Sequence, residues 1–182
     1  MAIARSRKID ALELLKKDHS HVQDLFAEFK RFHEEETEGV DELKQEIMDE
    51  VCAALKVHTQ IEEEIFYPAA REACPDEEEM FDEALAEHAA AKDLIEQIEA
   101  GAATDTGTSD RFLTLSDDID HHVQEEEMEM FPMVGDSSMD LEEVGGRLAA
   151  RKQELEAEAT RPASQTETAR NPSQGRATRV PR

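Results

Sequence analysis

A histidine and a glutamate four residues apart occur twice, in HTQIEEEIFYP (residues 58–68) and HVQEEEMEMFP (residues 122–132), each pair followed by a proline. Four residues is one helical turn, so His58 with Glu62, and His122 with Glu126, share a helix face with Cβ atoms about 5–6 Å apart. That geometry suits an ion pair in water. It also suits two ligands of one metal ion. The direction each face takes in the fold decides between them.

Apolar residues recur in steps of three and four along four segments, which is the period of amphipathic helices. The first, from about Ile9, carries Leu12, Leu15, Val22, Phe26 and Phe29, with His19 in the same series. The second runs through Ile47, Val51 and Leu55 to His58, Glu62 and Ile65. The third gives Phe81, Ala84, His88, Ala91, Ile95 and Ile98, and the fourth Phe112, Leu115, Ile119, His122, Glu126 and Met130. Pro68 is expected to kink the second helix or mark its last turns, Pro75 to break the chain, and Asp76 to cap the third helix. Tryptophan is absent, there is one tyrosine, and Ala, Glu and Leu outweigh β-branched residues, a helical preference. The expected fold is all-α. It comprises an up-down-up-down four-helix bundle over residues 9–135 and an appended amphipathic helix over 137–159, weakened by Gly145–Gly146. The chain is expected to end in a disordered basic tail over 160–182, with five Arg against one Glu.

The formal charge of −25 makes nucleic acid a poor partner for the folded body, because phosphate contacts need clustered Lys and Arg. The same charge raises the local concentration of cations. No segment approaches a membrane span, and the N-terminal stretch lacks the apolar run of a signal peptide. Cys52 and Cys74 fall on what reads as one helix, about 33 Å apart along its axis, beyond disulfide reach. Two free thiols point to a reducing, cytoplasmic setting.

Each of the four helices thus places one histidine on its core-facing stripe: His19, His58, His88 and His122. Two of them add Glu62 and Glu126. A buried, ionised carboxylate costs several kcal/mol unless compensated, so two at equivalent depth are hard to account for as packing. A pair of divalent cations accounts for them. The order is also duplicated: DHSHVQDLF (18–26) matches EHAAAKDLI (87–95) as the two His-x-x-x-Glu stretches match each other. Two copies of one hairpin, related by a pseudo-twofold axis, would set two half-sites side by side, with Glu62 and Glu126 able to bridge. Imidazole with carboxylate suits Fe, Mn or Zn, and a carboxylate-bridged pair in a bundle favours iron or manganese.

Competing residues fit less well. His121 also has a glutamate one turn on, Glu125, but His122 lies on the apolar stripe and repeats the spacing of His58 to its proline. Glu63 and Glu127 are rotated by about 100° from the stripe, as solvated groups or partners of an imidazole N–H. His21 falls off the stripe, and His33 sits about 21 Å from His19 along the axis. Tyr67 comes half a turn out of phase with His58 and is assigned a structural role.

The ordered set resembles the hemerythrin-like, or HHE cation-binding, domains. The "DH" of the first helix, HTQIEEEIFYP, the "EH" of the third and HVQEEEMEMFP carry the resemblance, over roughly residues 9–135. It implies a four-helix bundle around two non-haem iron ions, with His19, His58, Glu62, His88, His122 and Glu126 as ligands. Oxygen-carrying members have a further histidine one turn after the third-helix histidine; here that position is Lys92. Reversible carriage is therefore not implied. Related domains are associated with oxygen or iron sensing and with peroxide or nitric oxide chemistry. Three functions remain open at this point: a binder of dioxygen or a related small oxidant, an enzyme reducing peroxide or nitric oxide with Lys92 near its site, and an iron-homeostasis or structural metal-binding module.

Overall fold

The computed structural model describes residues 9–35 and 39–160. All their regular structure is helical. Helix α1 (Ala11–Glu34) packs antiparallel to α2 (Asp41–Ile61), and α4 (Glu78–Glu99) packs antiparallel to α5 (Thr106–Glu125). The two hairpins close into an up-down-up-down bundle through α1 against α5 and α2 against α4. Both second helices continue past their histidines. A π-turn over Glu62–Phe66 leads into α3 (Tyr67–Ala73), and a second over Glu126–Met130 leads into α6 (Phe131–Gly135). Helix α7 (Leu141–Ala159) returns across α1 and α2.

The starts of α1, α5 and α7 are fixed by aspartates: Asp10, Asp105 and Asp140 each accept the backbone N–H of the residue three places on. Helix α4 differs from expectation. It begins at Glu78 behind Glu77, without a side-chain cap, and Asp76 lies in the preceding turn. Pro68 neither ends nor breaks its helix. It sits in the first turn of α3, where its missing N–H is tolerated. The Gly145–Gly146 pair does not interrupt α7, and the missing Cβ of Gly145 lets the helix pass close against the Ile9 carbonyl oxygen.

Two apolar clusters fill the interior, one on each side of a layer of histidines. Phe26, Phe29, Leu55, Phe112 and Leu115 belong to one. Leu15, Ile61, Phe66, Phe81 and Phe131 belong to the other, together with Val144 and Leu148 of α7. Cys52, buried in α2, and Cys74, at the end of α3, are free thiols, and burial pushes the Cys52 thiol up to about 12. No described helix is long and apolar enough to cross a membrane. The basic tail expected over 160–182 lies, from residue 161 on, outside the described residues.

Candidate metal centre

The apolar stripes turn His19, His58, His88 and His122 into the bundle, where none is more than 5 % exposed; Glu62 and Glu126 are at 0 and 1 %. All six side chains meet at one level. His19 Nε2 lies 3.2 Å from His58 Nε2, and His88 Nε2 lies 3.3 Å from His122 Nε2. Each carboxylate reaches across both pairs. Glu62 Oε2 is 3.2 Å from His58 Nε2 and 3.4 Å from His88 Nε2; Glu126 Oε2 is 3.2 Å from His19 Nε2 and 3.6 Å from His122 Nε2.

Outer carboxylates set which ring nitrogen faces inward. His19 Nδ1 lies 2.8 Å from Glu127 Oε1, His88 Nδ1 3.0 Å from Glu63 Oε1, and His122 Nδ1 2.8 Å from Glu87 Oε2. An ionised carboxylate only accepts, so Nδ1 carries the proton in each and Nε2 presents a lone pair to the centre. His58 has the corresponding neighbour, Asp18, at a longer 3.8 Å from its Nδ1. Lysines stand behind two of these carboxylates: Lys92 Nζ is 2.6 Å from Glu63 Oε1, and Lys152 of α7 pairs with Asp18. Lys92 therefore reaches the site only through Glu63.

The centre is thus ringed by acceptors. Among the described residues both oxygens of Glu62 and the Oε2 of Glu126 are buried without a hydrogen-bond partner. Burial and the charge of Glu126 push the Glu62 pKa well above 4.5. Burial and the neighbouring His122 depress His88 to about 2. Unsatisfied oxygens and inward nitrogen lone pairs are what a cation would complete. The spacing agrees: with bonds of about 2.0–2.2 Å, adjacent ligands of one ion stand roughly 3.0–3.5 Å apart. Two buried groups keep their ligand atoms within 4.8 Å of one another, His19, His58, Glu62 and Glu126 in one and Glu62, His88 and His122 in the other. Their makeup is that of a metal-binding site for which the residues present are suited.

A cavity of about 10 Å³ adjoins all four histidines, walled by Val22, Leu55, Ile119 and Val123. That is about the space of one water-sized molecule.

Tyr67 is the residue that sequence reasoning misplaced. Its Oη lies 2.9 Å from Glu126 Oε1 and 3.2 Å from His88 Nε2, and its ring packs on that of His88. The cause is the π-turn, in which Tyr67 N–H bonds Glu62 C=O. One extra residue in the turn rotates the rest of the helix by about 100°, which brings Tyr67 back toward the His58 face. A signal was present. Tyr67 matches Phe131 in the second copy, and Phe131 stacks on His19 at 5.7 Å. The two hairpins thus place aromatic rings on equivalent histidines, and one ring has a hydroxyl. Glu87 and Asp18 were also missed as imidazole partners, although each directly precedes a repeat histidine. His21 and His121 are exposed and pair with Glu50 and Glu125. His33 stacks on Phe29, away from the centre.

A family model described as the Hemerythrin HHE cation binding domain matches residues 10–134. Among solved structures, the chain is similar to the crystal structure of a Hemerythrin HHE cation binding domain-containing protein from Mycobacterium kansasii. The two are 25 % identical with a TM-score of 0.67, over 83 % of this chain and 90 % of that one. No curated protein matches the chain.

Proposed function

The chain belongs to the Hemerythrin HHE cation binding domain family, which accounts for residues 10–134, and from that membership we propose that it is a non-haem di-iron protein that binds dioxygen or a related small oxidant. The observation that carries this reading is the pair of buried glutamates with unpartnered oxygens, Glu62 and Glu126, held among inward imidazole nitrogens. His19 and His58 would hold one ion, His88 and His122 the other, and the two carboxylates would bridge. Mixed nitrogen and oxygen donors in a bundle favour iron, with manganese and zinc as competitors. Bound iron supplies electrons and a Lewis-acidic position for a small ligand.

The protein's own residues do the rest. Glu127, Glu63 and Glu87 fix three imidazoles in the tautomer that presents Nε2. Val22, Leu55, Ile119 and Val123 leave about the space of one water-sized molecule beside the centre and line it with apolar groups. Lys92 takes no part in ligation, which sets the protein apart from carriers with a further histidine. Sensing, storage or detoxification of an oxidant all fit this centre. The free cysteines fit a cytoplasmic location.

Tyr67 favours a second reading, an enzyme that reduces peroxide or nitric oxide. Its hydroxyl is a buried proton donor beside Glu126 and His88. Adding dioxygen, peroxide or nitric oxide separately to the ferrous protein distinguishes the two. Binding predicts a visible charge-transfer band that forms once and persists. Turnover predicts sustained peroxide or nitric oxide consumption, slowed about 10²-fold or more in Tyr67→Phe if the hydroxyl donates the proton. Ferrous protein whose spectrum none of the three ligands alters would contradict both.

A further inference from the structure

The pseudo-twofold relation supplies a comparison between two clefts that ought to be alike. Between α4 and α5 lies a cavity of about 250 Å³ whose inner wall is His122 and Glu126 and whose outer walls include Glu83, Glu87, Glu125 and Glu129. Matching His88 to His19 and His122 to His58 carries Glu83, Glu125 and Glu129 onto Leu14, Ile61 and Ile65. Those three are apolar and share a cluster with Val144, Leu148 and Leu155 of α7. One cleft is sealed by a helix. Its mate is left open, and its walls are carboxylates.

We propose that the α4–α5 cleft is the route by which divalent cations reach the buried centre, with Glu87 and Glu125 on its wall and His121 beside them as a staging site. The three offer ligand atoms that all lie within 4.8 Å of one another. His121 and Glu125 are 65 and 40 % exposed, so they meet ions from solvent, whereas Glu87 is 27 % exposed and its Oε2 accepts from His122 Nδ1. Glu87 therefore belongs to the outer group and touches a residue of the inner one. A second observation points to a cation from the inside. Glu126 is 1 % exposed, its Oε2 has no hydrogen-bond partner among the described residues, and it lines this same cavity. A cation leaving the staging group moves inward toward an unsatisfied carboxylate oxygen of the adjoining residue, Glu126. A negatively lined cleft with low-dielectric walls concentrates cations and speeds their capture.

This inference rests on the metal-binding reading above but concerns the rate of loading, whereas that reading concerns what is finally held. The test is uptake of Co²⁺ alone by metal-free protein, followed by the visible bands of the bound ion. His121→Ala with Glu125→Gln is compared with wild type and with a control, His21→Ala with Glu50→Gln. The control removes a similar exposed pair, 3.1 Å apart, from the α1–α2 side. The cleft variant is expected to load about tenfold more slowly, the control at the wild-type rate, and all three to the same final amplitude. Loading of the cleft variant at the wild-type or control rate would overturn the route. A wild-type protein that takes up no Co²⁺ would overturn the route and the metal reading together.

Discussion

In the metal-free bundle burial, and then the charge of Glu126, raise the Glu62 pKa. The raised value sets the sign of the linkage. Glu62 ionises at about 4.5 when unfolded and well above that when folded, so folding retains a proton that the unfolded chain gives up. Its contribution to stability is full below pH 4.5 and is lost as pH rises from there through the folded value. With a chelator present, denaturant melts should show Glu62→Gln gaining stability relative to wild type as pH rises from 5 toward neutrality. The same variant should be about 1–3 kcal/mol more stable than wild type when both are metal-free at neutral pH, and should lose metal affinity. A metal-free Glu62→Gln protein that is less stable would mean the buried carboxylate is satisfied by something else. The six inward residues were legible in the sequence because stripe position selects them, with axial distance setting His33 aside and the spacing to a proline favouring His122 over His121. Tyr67 was not, because its phase depends on a backbone bond that no side chain announces. Of the partners of the Nδ1 atoms, Glu63 and Glu127 were legible only as one of two readings, since rotation away from the apolar stripe reads equally as solvent exposure, and Glu87 and Asp18 not at all.

The π-turns are the element-scale counterpart of that miss. Each starts at a glutamate of the centre, Glu62 or Glu126, and closes with an N–H from the aromatic residue five places on. An α-turn there would keep the glutamate in place but carry Tyr67 and Phe131 off their histidines. The helices themselves were readable from steps of three and four, and the duplicated motifs announced two matching hairpins. The path of α7 was not readable, because an amphipathic pattern says that a helix packs without saying where. Gly145 decides it: a Cβ there would also meet the Ala11 backbone nitrogen at 2.7 Å, whereas nothing lies within 4 Å of one on Gly146. Gly145→Ala should therefore push α7 off the start of α1 and lower the midpoint of thermal unfolding. Gly146→Ala should raise stability by about 0.5–1 kcal/mol through helix propensity alone. Equal effects of the two substitutions in calorimetry would contradict the close approach.

At the scale of the molecule, two similar hairpins build a nearly symmetric interior, and α7 makes the exterior asymmetric. It lays Arg151 on Glu64 and Lys152 on Asp18, neutralising one flank of a chain whose formal charge is −25. The opposite flank keeps its glutamates facing water. Symmetry inside provides two adjoining groups of donors, and asymmetry outside leaves one of two equivalent clefts open. Both groups are predicted to hold cations, and elemental analysis of the purified protein counts them. Wild type is predicted to carry two metal ions per chain, mainly iron, and the variant with both Glu62 and Glu126 changed to Ala fewer than half an ion while remaining helical. A folded wild-type protein with no bound metal, or a double variant that still holds two ions, would contradict this prediction.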